Sequence, residues 1–424
     1  MASPVNPPRG MRDFLPADKA RRERVLSVIR ANYRAHGFDE IETPVVEDSS
    51  RLHAGLGGDN EKLAFAVMKR GLTTDDLHAA TEPLELADLG LRFDLTVPLA
   101  RFYASHRGEL PTVFRAIQIA PVWRAERPQK GRYRQFVQCD IDIIGEAGPV
   151  AEVELITATT ATLAALGVTG CTVRVNDRRL LTSALTLLGF PAAEHENALI
   201  TIDKLDKLGQ DGVLAELRER AFTASAVDAL EAFFRRPMTM EYLPFGEAGI
   251  RKFLPEGADP AAVAELAAIG EAVNEVAGEQ VVVFDPWLVR GMGYYTGTIF
   301  EVAHPELGYS IGGGGRYDGM IGRFLGTDIP AAGFSLGFER LVDLVDLPDT
   351  DSTDAVALLH DDVPLARLAS LQAALVAQGL RVRLERKPRN VAPLLAQLAA
   401  AGFTRVATVN SESTADTLEF RPLG

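Results

Sequence analysis

The sequence predicts an α+β fold: a large mixed domain, a helical insertion within it, and a small C-terminal α/β domain. Three observations carry this. Runs rich in β-branched and apolar residues at 90–95, 113–124 and 136–145 read as strands, and strand signals return at 280–284, 297–303 and 309–312. Between them, from Arg178 to Ala272, alanine, leucine and charged residues repeat at helical spacing. Beyond the acidic segment Leu347-Pro-Asp-Thr-Asp-Ser-Thr-Asp354, the best linker candidate, strand and helix patterns alternate at short range. A chain of 424 residues has the length for two or three such domains.

Taken in order, Asp18 to His36 reads as a basic amphipathic helix, with Asp18 suited to cap it and Val25, Ile29 and Tyr33 on one face. Lys19, Arg21, Arg22 and Arg24 then form a solvated face. Gly37 ends the helix, and Phe38 to Pro44 reads as a strand closed by proline. Pro149 to Leu166 is a long helix ended by Gly167, and Pro330 to Arg340 reads as strand, glycine break and helix. The last segment predicts a strand at 355–360, a helix at 364–378, a strand at 381–384, a helix at 391–401 and strands at 404–409 and 417–422.

Bulk properties exclude several classes. No uninterrupted apolar run approaches the roughly 18 to 20 residues of a membrane span, so no membrane partner is predicted. The start, Met1-Ala-Ser-Pro-Val-Asn-Pro-Pro, lacks the basic and apolar regions of a signal peptide. Two cysteines, Cys139 and Cys171, make no disulfide framework and sit in no metal-ligand cluster, so no metal ligands are assigned. A cytoplasmic location is the simplest expectation. The net charge of −14 argues against a nonspecific nucleic-acid coat, though not against one RNA partner docking on a local basic patch.

The chemistry concentrates in a few segments. Arg124-Ala-Glu-Arg-Pro-Gln-Lys-Gly-Arg-Tyr-Arg-Gln-Phe-Val-Gln138 is arginine-dense, with a carboxylate, an aromatic ring and an amide at fixed offsets. Such a set suits a polyanion with a flat base, ATP being the obvious one; a salt-bridged surface loop is the other reading. Arg124 and, far along the chain, Arg290 are candidates to bring two anions together, because guanidinium stays charged and grips phosphate bidentately. If 90–95 is a strand that runs on, Asp94 and Thr96 share a face that can hold an ammonium group, or simply face solvent. On the next strand Gln138, Asp140 and Asp142 share one face and Cys139, Ile141 and Ile143 the other, as in a pocket wall or an exposed edge. Asp142 could accept an imidazole N–H. Gly312-Gly-Gly-Gly-Arg-Tyr-Asp-Gly319 permits close backbone approach to a ligand, or is a flexible turn; it is not a Walker A loop.

These segments, with Leu288-Val-Arg-Gly-Met-Gly-Tyr-Tyr-Thr-Gly297, resemble histidyl-tRNA synthetase, a class II aminoacyl-tRNA synthetase. Residues 37–44 look like motif 1 of that class, the Arg124 region like motif 2, and Gly333 to Arg340 like motif 3. The resemblance implies an antiparallel class II sheet flanked by helices over 8–345, interrupted by the insertion at about 180–272, and a shortened anticodon-binding-like α/β domain at 353–424. It also implies a homodimer that makes histidyl-adenylate from L-histidine, ATP and Mg²⁺ and transfers histidine to tRNA(His). By this likeness Arg124 and Arg290 are catalytic, and Arg290 also meets the histidine carboxylate. Glu126, Arg132, Phe136 and Arg340 join Arg124 around ATP: Glu126 at the adenine edge, Phe136 and Arg340 on its faces, Arg132 at the γ-phosphate. Asp94, Thr96 and Gln138 hold the histidine ammonium group, and Asp142, Tyr294, Tyr295 and Tyr317 surround its side chain. Arg127, Gln129 and Lys130 meet the tRNA acceptor end.

Two features depart from the family pattern. Gly293 stands where aspartate is usual, and the C-terminal segment is expected to be a helix short and poor in lysine over 391–401. Two other functions are compatible with the motifs: a regulatory subunit of ATP-phosphoribosyltransferase, which typically loses the Arg290 equivalent, and an amino-acid activator with a non-tRNA acceptor.

Overall fold

The computed structural model describes residues 5–53, 62–128, 131–236, 245–290, 294–347 and 354–423. Gln129, Lys130, Gly293 and nearly all of the expected acidic linker lie outside them. The chain divides into two compact units, Met1–Asp13 with Arg24–Asp346 and Phe14–Glu23 with Leu347–Gly424.

In the larger unit the strands are β1 (Asp39–Glu40), β2 (Val46–Asp48), β3 (Phe65–Met68), β4 (Ala87–Leu91), β5 (Phe114–Trp123), β6 (Gln135–Ile144), β7 (Thr172–Asp177), β8 (Val282–Phe284), β9 (Thr298–Ala303), β10 (Gly312–Arg316) and β11 (Ala331–Gly337). Eight of them form one sheet in the order β1-β5-β6-β11-β10-β9-β7-β8. The inner pairs are antiparallel, and only the outer pairs β1·β5 and β7·β8 run parallel. A small sheet, β2-β4-β3, stands apart from it.

Helix Val150–Ala165 packs on β6 and β11 and is itself covered by helix Pro260–Ala277. Cys139, Ile141 and Ile143 of β6 are fully buried, as the period of two predicts. Helix Pro16–Ala35 likewise buries Val25, Ile29 and Tyr33. Its basic face is not wholly solvated: Arg22 is buried, with its guanidinium 3.9 Å from the Phe14 ring centre.

Between β7 and β8 the described chain is helical throughout, in six helices from Arg178–Leu187 to Pro260–Ala277. Asp177 caps the first by accepting from the Arg179 amide at 2.7 Å. The strand immediately before it, β7, was not expected, because Asn176 and Asp177 disguise an otherwise β-branched run.

Two other expectations fail. Residues 38–44 contribute only the two-residue β1; the chain beyond is held instead by Arg92, whose guanidinium donates to the Thr43, Pro44 and Pro121 carbonyls. Nor does 90–95 stay extended: β4 ends at Leu91, and Thr96 opens helix Thr96–His106.

The smaller unit contains β12 (Ala355–His360), β13 (Arg381–Arg386), β14 (Arg405–Val409) and β15 (Arg421–Pro422), in the order β13-β12-β14-β15. Its first three strands are parallel. Val356 and Leu358 point to helix Leu365–Ala377 and its core, while Ala355, Ala357 and Leu359 point to helix Ala392–Ala400. The final expected strand is cut to Arg421–Pro422, because a 3-10 turn takes up Ala415–Thr417.

Candidate active site

A cavity of about 600 Å³ lies over the middle of the eight-stranded sheet. Its floor follows from strand register. Gln138, Asp140 and Asp142 of β6 face it, opposite Gly337, Ser335 and Gly333 of β11. Ser335 pairs in turn with Gly313 of β10, and Gly313 with Glu301 of β9. The glycine run is therefore a strand and not a flexible turn, and close approach explains its composition. A Cβ on Gly333 would stand 2.0 Å from Asp142 Oδ1, and one on Gly313 would stand 2.4 Å from Arg290 Nη1.

The floor is acidic at one end. Tyr317 donates its hydroxyl to Asp142 Oδ1 at 2.6 Å, both groups being buried. Burial pushes the Asp142 carboxyl up to about 7; the Tyr317 hydrogen bond opposes this, and the Asp94 charge adds to it. Asp140 is pushed well above the usual carboxylate range, first by burial and then by Asp142. The rings of Tyr294 and Tyr317 meet edge to face at 6.1 Å, and Tyr294 and Tyr295 lie 4.7 Å apart. Gln138 donates to Ser335 Oγ at 2.8 Å, while its buried Oε1 has no protein partner. Asp94 and Thr96 reach the cavity from a helix start instead of a strand: Asp94 Oδ1 accepts from the Val97 amide at 3.1 Å.

Guanidinium groups line the remainder. Arg124 is fixed by donation to the Phe93 carbonyl at 2.9 Å and lies 5.1 Å from the Phe136 ring centre. Arg132 pairs with Glu126 at 3.3 Å. Arg340 donates to the Ser310 carbonyl at 2.5 Å and stacks on Tyr309 at 4.7 Å. Burial, then the nearby Arg132, lowers the pKa of Arg340. Arg290 Nη1 donates to Glu301 Oε2 at 2.9 Å. Among the described residues the cavity thus brings together Arg124, Glu126, Arg132, Phe136, Arg340, Asp94, Thr96, Gln138, Asp142, Arg290, Tyr294, Tyr295 and Tyr317. Arg127 is exposed and does not line it.

Sequence reasoning left several lining residues without a role. Asp140 carried the same period-two signal as its neighbours. Ser335 depends on register across strands, as does Glu301, which does not line the cavity but accepts from Arg290. Glu339 is buried, accepts from the Val137 amide at 3.2 Å and pairs with Arg12. From the helical insertion come Ile200, Asp203, Lys204 and Lys207, whose approach no local pattern announces. Arg316 of the glycine segment turns away into a buried pair with Glu152, at 2.7 and 2.8 Å.

The model of the histidyl-tRNA synthetase family matches residues 10–341. The chain belongs to the histidyl-tRNA synthetase family. A histidine–tRNA ligase of Leifsonia xyli subsp. xyli (strain CTCB07) is 60% identical over 428 residues, covering 100% of this chain and 99% of the relative. A probable histidine–tRNA ligase of Tropheryma whipplei (strain Twist) is 45% identical over 395 residues, 91% of each chain. Among solved structures, histidyl-tRNA synthetase from Nostoc sp. PCC 7120 superposes with a TM-score of 0.75 at 24% identity, over 100% of this chain and 95% of that one. A Bacillus halodurans protein described as an ATP phosphoribosyltransferase regulatory subunit/histidyl-tRNA synthetase gives the same TM-score at 21% identity, over 96% and 99%. At those identities the two structures speak to fold alone, and the sheet is that of the class II synthetases.

Proposed function

We propose that this protein is a histidine–tRNA ligase. The observation that carries the reading is the shared cavity, in which the buried Asp142–Tyr317 pair and two arginines, Arg124 and Arg290, line one space. In the first step a carboxylate oxygen of histidine bonds to the α-phosphorus of ATP. The bond from that phosphorus to the bridging oxygen breaks, and pyrophosphate leaves with the electron pair. Two anions must meet, so cations fixed beforehand lower the barrier. Arg124 is held by the Phe93 carbonyl and Arg290 by Glu301, so neither has to be ordered at the moment of reaction. In the second step a hydroxyl of the terminal ribose of tRNA(His) attacks the adenylate carbonyl, and AMP departs.

Selection of histidine rests on Asp142 and Tyr317, which would pair with imidazole N–H and N groups. A side chain lacking those groups leaves them buried and unsatisfied, a cost that discriminates strongly. Asp94, Thr96 and Gln138 would take the ammonium group, consistent with the unpartnered Gln138 Oε1. Tyr294 and Tyr295 close the wall beside Tyr317. Phe136 and Arg340 would enclose adenine, while Glu126 and Arg132 would exchange their mutual ion pair for the adenine edge and the γ-phosphate. Mg²⁺ enters with ATP as part of that substrate, since magnesium is typically carried by phosphates with one or two carboxylates; among the described residues no group of three His, Cys, Asp or Glu is arranged to hold a metal.

The exposed Arg127, with Gln129 and Lys130 beside it, would meet the tRNA acceptor end, and the 353–424 unit the anticodon arm. We take the protein to work as a cytoplasmic homodimer, as the resemblance implies; no described helix is long and apolar enough to cross a membrane. A regulatory role would not need two fixed arginines in the cavity. The test is ATP–pyrophosphate exchange with each amino acid in turn. Exchange with histidine alone is expected; none with histidine would refute the reading.

A further inference from the structure

Arg290 does not stand by itself. Glu301 Oε2 accepts from its Nη1 at 2.9 Å, and Glu301 Oε1 accepts from Arg174 Nη1 at 3.3 Å. Arg174 Nε in turn donates to Asp285 Oδ2 at 2.6 Å. The row follows from register, since Arg174 of β7 lies beside Glu301 of β9, and Glu301 beside Gly313 of β10. All four side chains of this relay are between 15 and 25% exposed, so solvent screens them only in part. Gly313 leaves the space through which the Arg290 guanidinium reaches its partner.

We propose that Glu301 is a positioning residue for histidine activation: it pins one nitrogen of Arg290 across Gly313, and Arg174, clamped by Asp285, keeps Glu301 in place. The inference rests on the reading of Arg290 given above. Without the pin the charge remains but its direction is lost, and a misplacement of about 1 Å costs roughly 100-fold in rate.

The experiment compares Glu301→Ala, Glu301→Gln and Gly313→Ala with the wild type in histidine-dependent ATP–pyrophosphate exchange, alongside thermal midpoints. Glu301→Ala is expected to lower kcat by about 100-fold, with the KM for ATP within about threefold of wild type. Glu301→Gln keeps a carbonyl oxygen to accept from Nη1 and should retain kcat to within about tenfold. Gly313→Ala removes no charge, yet its Cβ would stand 2.4 Å from Nη1, so it should fall as Glu301→Ala does. A kcat for Glu301→Ala within about threefold of wild type overturns the inference. So does an equal fall in the Ala and Gln variants that tracks their loss of folded protein. Absence of exchange in the wild type would overturn the activation reading itself, a result distinct from either.

Discussion

Replacing Asp142 by asparagine isolates the group that sets the acidity of the cavity floor. Asp142 is 3% exposed, and burial lifts its carboxyl from an ordinary 3.8 to about 7. The folded protein therefore holds this proton between about pH 4 and 7, where the unfolded chain has released it. The group's contribution to stability is fully present below about pH 4 and is lost as pH rises through 7. A rise of roughly three pH units corresponds to about 4 kcal/mol in all, of which about 2–3 kcal/mol falls between pH 5 and 8. Asp140 is raised partly by Asp142, so the asparagine variant relaxes it in the same direction. Without histidine, the wild type should lose about 2–3 kcal/mol more than Asp142→Asn on going from pH 5 to pH 8. For a unit of this size that is roughly 3–4 °C in thermal midpoint, from the scaling of unfolding entropy with length. Circular dichroism melts at the two pH values read it directly. Parallel pH dependence in the two proteins would refute the argument that Asp142 is buried with a raised pKa.

Three other perturbations read different parts of the account. Arg290→Ala should lower kcat for pyrophosphate exchange by about 10³-fold with the fold intact by circular dichroism, since a fixed cation at the reacting anions is gone; near-normal exchange would remove Arg290 from the chemistry. Gly333→Ala should raise the histidine KM at least tenfold, because its Cβ falls 2.0 Å from Asp142 Oδ1; an unchanged KM would contradict the pocket assignment. Arg316→Ala leaves the fully buried Glu152 without its ion pair and should cost about 3–5 kcal/mol of stability. A thermal midpoint within a degree of wild type would show that pair to be dispensable.

Much of the site was legible because its signals are local. The period of two put Gln138 and Asp142 on one strand face, the arginine-dense loop named Arg124, and the family likeness added Arg132; all of them line the cavity. Arg290 was a candidate by its chemistry and the tyrosines came from the family motif, but no local rule could join either to that loop. Asp94 and Thr96 line the cavity, but not from a strand: an aspartate ahead of Thr96 and Pro98 is a helix start, and Asp94 accepts from the Val97 amide in its first turn. For the glycines at 312–315 the sequence left a flexible turn open beside close approach to a ligand, because it shows their freedom and not the side chains pressed against them. Glu301 and Ser335 were invisible, since register between distant strands decides which side chains face each other.

The central claim is tested most directly by charging a tRNA(His) transcript with labelled histidine in the presence of Mg²⁺ and ATP. The account predicts stable, ATP-dependent histidyl-tRNA from the wild type and at least 10³-fold less from Arg290→Ala. Histidine-dependent pyrophosphate exchange with no label on the tRNA would contradict it and assign the activated histidine to another acceptor.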